Sequence, residues 1–334
     1  MCLNLPFNYI SLKGEEVFNI KDDASFKEVA IEVYYHQRRH NPVYKEYCDL
    51  LGIDEVNQIT EIPFLPISFY KSHRVTSQKI NEAVFTSSGT TGDMVSQHYV
   101  SKIAQYDLSL DKSFEQFFGN HKDYLTLALL PHYLDRKGSS LVYMAQRWIE
   151  KSQNPNSGYY LRDLERLSKT LQDAQRSNQK TILIGVTFAL LQLAEKYPAT
   201  LSNTLIIETG GMKGMRREMI KDELHHILTT SFPKAQIMSE YGMTELLSQA
   251  YAIDGVNFIT PSWMQVLARE VNDPLSLVNT GSTGGLNIID LANYDSCSFI
   301  ATQDLGKINP NGTFQVLGRF DQSDIRGCNL MAVE

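Results

Sequence analysis

The chain has 334 residues, 43% hydrophobic and 21% charged, with a formal net charge of −7. That composition is ordinary for a globular protein, with apolar material for a sizeable core and length for about two domains. The acidic balance gives no basic footprint for nucleic acid, although a nucleotide or a carboxylate can still bind through local dipoles.

The first residues, MCLNLPFNYISLKGEEVF, lack a basic n-region and a long apolar run, so they do not read as a secretory signal. No stretch approaches the ~18 apolar residues of a membrane span. Residues 22–51 open with Asp and Ser capping candidates and repeat apolar residues at three- and four-residue steps, which predicts a helix. Proline punctuates 61–73, predicting an extended, partly buried connection. Residues 82–92 read as strand then loop, and 124–134 as a buried strand ended by Pro131. A helix follows over 139–152, with Leu141, Met144, Ala145 and Trp148 on its apolar face. Then come helix 161–179, strand 180–187, helix 188–197, strand 203–211 and helix 215–232. Alternating strand and helix is the signature of a largely parallel α/β sheet. After about residue 250 short β-rich pieces are separated by Asn, Gly, Asp and Pro, which predicts a smaller β subdomain. The expected division is a helical part over 1–80, an α/β core over 81–250, a β-rich subdomain over 251–318 and a tail over 319–334. Four cysteines, Cys2, Cys48, Cys297 and Cys328, form no CxxC pair. Reduced thiols and a cytoplasmic location are the simpler reading.

Four segments could carry chemistry. Residues 85–97, FTSSGTTGDMVSQ, place Gly, Ser and Thr directly after a strand. Backbone N–H groups of such a loop can form an anion nest, although the same composition suits a solvated linker. It is not a Walker loop, because no Gly-Lys-Ser/Thr is present. Residues 208–218 run from a strand into Gly210, Gly211 and Gly214, either a nucleotide loop or a tight βα turn. In SEYGMTELLSQ (239–249), Glu245 is a hard oxygen donor suited to Mg²⁺ and Thr244 could reach a phosphate. The alternative is a helix start with an acidic first turn. In 302–330, Asp304 in a strand-end turn could accept from ribose hydroxyls and Arg319 could pair with an anion, or both are surface charges on a hairpin. His98, His132, His225 and His226 show no metal spacing; His225 and His226 read as partly exposed.

Taken together and in this order, the segments resemble the adenylate-forming superfamily of acyl- and aryl-CoA ligases, luciferases and peptide-synthetase adenylation domains. TSSGTTG resembles its phosphate loop, YGMTE its Mg-ATP motif and TQDLG its ribose-contacting T-G-D-L-G, with Gln303 where glycine is usual. GRFDQSDIRG resembles its hinge motif, loosely at Arg326. IPFLPISFYKSH, PHYLDRKGSSLVYM, ETGGMKG and RGCNL add a likeness to the acyl-protein synthetases of bacterial luminescence. The resemblance implies the large domain of such an enzyme, with parallel-rich sheets flanked by helices, a small β subdomain and the C-terminal lid domain, with its lysine, absent or vestigial. It implies ATP and Mg²⁺ as cofactors. Thr86, Ser87, Ser88, Gly89, Thr90, Thr91 and Gly92 would cradle the β- and γ-phosphates, and Gly210, Gly211 and Met212 would lie along the adenine. Tyr241 and Gly242 would border the nucleotide, Thr244 would contact the α-phosphate, and Glu245 would hold the metal. Asp304 would bind ribose and Arg319 ribose or phosphate. Cys328 matches the cysteine that carries the acyl group in that family, with Arg326 favouring its thiolate. The expected substrate is a fatty or other small carboxylic acid, held by 185–192 and Tyr143, with an acyl reductase or other acceptor protein as partner. Alternatives are a CoA ligase of the phenylacetate type and a non-catalytic nucleotide- or acyl-binding protein.

Overall fold

Asn41 and Pro42 break the run expected as one helix. The structure, a computed structural model, describes residues 14–87, 94–131, 138–210 and 221–319. Helix α1 (Asp23–His40) starts at a capping box of Asp22 and Ser25. Asn41 then caps α2 (Pro42–Leu51), its side chain accepting from Val43 N and Tyr44 N. Proline at the first helical position cannot continue the previous helix but suits a new start. The proline-rich connection contains a two-residue strand, β1 (Leu65–Pro66), and one helical turn, α3 (Phe69–Ser72).

Strands β2 (Ala83–Thr86) and β3 (Gln97–Val100) pair antiparallel around the Ser/Thr/Gly segment. Helix α4 (Ile103–Phe118) leads into β4 (Leu125–Leu129), buried at every position. Next come α5 (Ser140–Ser152), β5 (Gly158–Tyr159), α6 (Leu164–Arg176), β6 (Thr181–Gly185), α7 (Thr187–Lys196), β7 (Thr204–Glu208) and α8 (Lys221–Ser231). On α5, Met144, Ala145 and Trp148 are buried as expected, and Leu141 is half-buried. Strands β8 (Gln236–Tyr241) and β9 (Ala250–Ala252) complete a six-stranded sheet of order β5-β4-β6-β7-β8-β9. Every pairing in it is parallel except β8 with β9. Continuous apolar runs such as TLIIE in β7 fit a sheet covered on both faces.

Strands β10 (Met264–Arg269), β11 (Thr283–Asp290), β12 (Phe299–Ile308) and β13 (Phe314–Arg319) form a second, mainly antiparallel sheet. Its one parallel pairing comes from β1, with Leu65 opposite Ile300. Gln37 of α1 adds a buried polar tie, donating to Asn293 O, Tyr294 O and Ser298 Oγ and accepting from Ser298 N. Asp304 therefore sits inside β12 and not in a strand-end turn. Among the described residues no helix is long and apolar enough to cross a membrane.

Candidate active site

Parallel strands deliver their C-terminal ends to one edge of a sheet, where α/β proteins bind ligands. Here β7 ends at Glu208 and β8 at Tyr241, and the β2–β3 hairpin approaches the same place. A cavity of about 160 Å³ opens there, lined by Thr86 and Ser87, by Leu141 and Met144 of α5, and by Thr209 and Thr244, among others. None of the expected acyl-pocket residues lines this cavity, although Thr187 reaches Glu208 beside it and Tyr143 stacks on Tyr106 in its wall. The Tyr143 hydroxyl donates to Asp107 Oδ1 at 2.6 Å, and Phe188, Leu190 and Leu191 are core residues.

Thr86 N donates to Gly138 O at 2.8 Å. Ser87 closes the hairpin twice: its N donates to Ser96 O at 3.1 Å and its Oγ accepts from Ser96 N at 2.9 Å. Ser88, Gly89, Thr90, Thr91, Gly92, Gly211, Met212 and Cys328 lie outside the described residues, as do His132 and Arg326. Gly210 adopts φ +73°, the left-handed region glycine favours, and its N donates to Glu208 Oε1 at 2.6 Å. Glu208 is itself held by the Thr187 and Ser239 hydroxyls, at 2.5 and 3.2 Å. The half-buried His225 backs Ser239 with Nε2 at 3.1 Å, while His226 is exposed.

The segment after β8 is a turn followed by loop, not the start of a helix. Side chains distant in sequence hold it in that form. His98, fully buried on β3, lies with Nδ1 2.8 Å from Thr244 O. A carbonyl only accepts, so Nδ1 carries the proton. Burial pushes this imidazole down to about 4, so it is neutral near pH 7. Asn293 Nδ2 donates to Glu245 O at 2.8 Å. Asp290 takes Leu247 N at 2.8 Å, Ser248 N at 3.0 Å and Ser248 Oγ at 2.6 Å. Burial raises the Asp290 carboxyl to about 6 despite these donors. Glu245 is 5% exposed, and burial raises its carboxyl above the usual range against the Ser96 hydroxyl and the charges of Arg319 and Lys71.

The structure brings Tyr241, Asp304 and Arg319 together. Tyr241 donates to Asp304 Oδ2 at 2.7 Å, and Arg319 Nε lies 3.1 Å from Asp304 Oδ1. Asp304 and Arg319 face each other across β12 and β13. A Cβ at Gly242 would meet a carboxylate oxygen of Glu240, the far end of a long side chain that would have to move aside.

Sequence reasoning passed over Glu208, Glu240, Gln249, Asp290 and Asn293. Glu208 and Asp290 each close an apolar strand, a position from which a carboxylate can reach loop N–H groups, and that was their one local signal. Among the described residues no group of three or more His, Cys, Asp or Glu could hold a metal. Cys48 and Cys297 are buried, and burial pushes both thiols up, Cys48 to about 11.

No family model matches the chain. A curated protein of Photorhabdus luminescens, a long-chain-fatty-acid–luciferin-component ligase, is 33% identical over 69 residues. That stretch is 20% of this chain and 60% of the relative, so the chain spans less than two thirds of the curated protein it matches. Among solved structures, 2-hydroxyisobutyryl-CoA ligase in the postadenylation state in complex with 2-HIB-AMP superposes with TM-score 0.67 at 11% identity, over 94% of this chain and 73% of that one. ATP-bound MatB from Rhodopseudomonas palustris superposes with TM-score 0.51 at 15% identity, over 71% of this chain and 48% of that one. The chain therefore shares the fold of these ligases.

Proposed function

We propose that the protein activates a carboxylic acid with ATP, forming an acyl adenylate, and passes the acyl group through Cys328 to an acceptor protein. The observation that carries the reading is one cavity bordered by Thr86, Ser87 and Thr244, with Glu245 next in the chain and the Tyr241–Asp304–Arg319 cluster at the end of β8. A carboxylate oxygen of the acid attacks the α-phosphorus, the bond to the β-phosphate oxygen breaks, and pyrophosphate leaves. That chemistry needs positioning and charge neutralisation. Thr86, Ser87 and Thr244 would offer N–H and hydroxyl donors to the phosphates, together with the Ser/Thr/Gly residues that follow Ser87 in the sequence. The remaining lone pairs of Asp304 suit ribose hydroxyls.

Mg²⁺ fits the donor set. Magnesium commonly takes one or two protein carboxylates and completes its shell with phosphate and water, and Glu245 is a buried carboxylate whose ionised form burial disfavours. Glu245 would hold the ion, which neutralises phosphate charge when bound. In the second step the Cys328 thiolate attacks the acyl carbon, the carbon–oxygen bond breaks, and AMP leaves. The name of the Photorhabdus luminescens relative supports a fatty acid as substrate.

The test is the intact mass of the protein after incubation with ATP, Mg²⁺ and a panel of fatty, aromatic and short acids, without CoA. A mass gain of one acyl group, lost with hydroxylamine and absent from Cys328→Ala, is expected. Pyrophosphate release with no mass gain moves the acceptor to CoA or another protein and refutes the role of Cys328. ATP binding without pyrophosphate release with any acid favours a non-catalytic binding protein.

A further inference from the structure

Lys71 of α3 is an exposed cation at the edge of the site, and the chemistry described so far does not use it. Two features of the fold bring it there. Strand β1 runs parallel to β12, with Pro66 opposite Ala301, and Ile67 N continues the pairing to Ala301 O at 2.9 Å. The chain leaving β1 therefore turns into α3 at the end of the sheet where Asp304, farther along β12, meets Arg319. Tyr70 fixes α3 from the other side. It is buried, its hydroxyl donates to Cys297 O at 3.4 Å, and the same oxygen lies 3.2 Å from Ser296 Oγ. Its ring stands edge-on to His98, with centroids 5.7 Å apart, and His98 is the residue that holds Thr244 O. Lys71, next in the chain, thus has its backbone pinned beside the Thr244–Glu245 turn, and its charge acts on the Glu245 carboxyl. Arg319 acts on that carboxyl too, but it is already tied to Asp304. Lys71 makes no ion pair among the described residues.

We propose that Lys71 is a catalytic residue of the adenylation step: its ammonium group contacts the β- and γ-phosphates of Mg·ATP and neutralises the charge that passes to pyrophosphate as it leaves. The inference rests on the adenylation reading. An exposed lysine is ordinarily only a hydrated surface charge; this one stands on a turn held by buried groups to the segment that carries Glu245. The triphosphate stays net negative with one magnesium ion bound. An ammonium group on a flexible stem suits it, because it acts as a point charge with three donors and needs no fixed plane. The carboxylate oxygen of the acid forms its bond to the α-phosphorus, and the electron pair of the breaking bond goes to the bridging oxygen of pyrophosphate. Lys71 keeps its proton throughout. The contact strengthens as that charge develops, so it lowers the barrier more than it tightens binding.

ATP–pyrophosphate exchange and calorimetry with Mg·ATP, both on the full chain, test this in Lys71→Ala, Lys71→Arg and Lys79→Ala, the last an exposed lysine of the same segment. Lys71→Ala should lower kcat for acid-dependent exchange at least ~10-fold, with a smaller rise in the KM for ATP. Lys71→Arg should recover most of the rate, and Lys79→Ala should match wild type. Thermal midpoints should not move, because the side chain is exposed. A fall of less than ~10-fold in Lys71→Ala, an equal fall in Lys79→Ala, or no recovery in Lys71→Arg overturns the inference and leaves adenylation standing. No exchange in wild type with any acid overturns adenylation, and calorimetry then decides whether Lys71 touches the phosphates. The contact is upheld if Lys71→Ala weakens Mg·ATP binding at least ~3-fold and overturned if it does not.

Discussion

Asp290 should decide whether the Thr244–Glu245 turn keeps its shape. The perturbation is Asp290→Ala. It removes the acceptor for Leu247 N, Ser248 N, Ser248 Oγ and Ala292 N, at 2.8, 3.0, 2.6 and 3.2 Å. The site is 0% exposed, so bulk water does not replace the lost partner directly. Each buried donor left unsatisfied costs ~1–3 kcal/mol. Removing a carboxyl whose ionised form burial already disfavours returns part of that sum. A net loss of ~3 kcal/mol is expected. At ~2 °C per kcal/mol for a protein of this size, the midpoint of thermal unfolding should fall by ~6 °C. Asp290→Asn keeps one oxygen but turns an NH₂ toward backbone donors, so it should lose about half as much. Differential scanning calorimetry measures both. An Asp290→Ala midpoint within ~1 °C of wild type would refute the reasoning, because it would mean that the carboxylate does not hold the turn.

Stability should peak between about pH 6.5 and 7. Burial pushes His36, His98 and His121 down to about 4 from an ordinary 6.5, so each contributes stability that is present above 6.5 and lost as pH falls through that window, at up to ~1.4 kcal/mol per pH unit. Glu240 runs the other way: pushed from 4.5 up to about 8, it contributes stability present below 4.5 and lost as pH rises towards 8. Urea midpoints measured from pH 4 to 8 should show both limbs, with Glu240→Gln flattening the upper one; an unchanged upper limb contradicts the burial of that carboxyl. Gly242→Ala should cut acid-dependent exchange at least ~10-fold by driving the Glu240 carboxylate off its seat, and wild-type rates would contradict the crowding seen there. Tyr241→Phe removes one bond to Asp304 and should cost about 1 kcal/mol, with a several-fold rise in the KM for ATP and little change in kcat; an unchanged KM would separate the cluster from nucleotide binding.

The parallel sheet was legible because its signal is local. TLIIE and TILIG are short apolar runs between amphipathic helices, and they fold as β7 and β6. The break at Asn41 was also written locally, as a cap followed by proline, and was overridden by the longer apolar periodicity. The turn at Thr244 was not legible. Its acidic residue after a glycine suits a helix start, and His98, Asp290 and Asn293, each more than forty residues away, make the loop the better solution. Two-residue β1 carries no periodicity at all, and its place beside β12 is set by the second sheet's open edge. Of the candidate site, the structure gathers Thr86, Ser87 and Thr244 at one cavity, and Tyr241, Asp304 and Arg319 in one cluster. Glu240 and Gln249, which also line that cavity, were hidden because each residue reads alone as an ordinary strand-end or loop side chain.

The central claim is that this site joins a carboxylic acid to AMP, and acid-dependent ATP–pyrophosphate exchange tests it most directly. The account predicts exchange that requires both Mg²⁺ and a carboxylic acid and that falls at least ~100-fold in Glu245→Gln, with the variant still folded. Exchange absent for every acid tried, or undiminished when Glu245 is replaced, would contradict it.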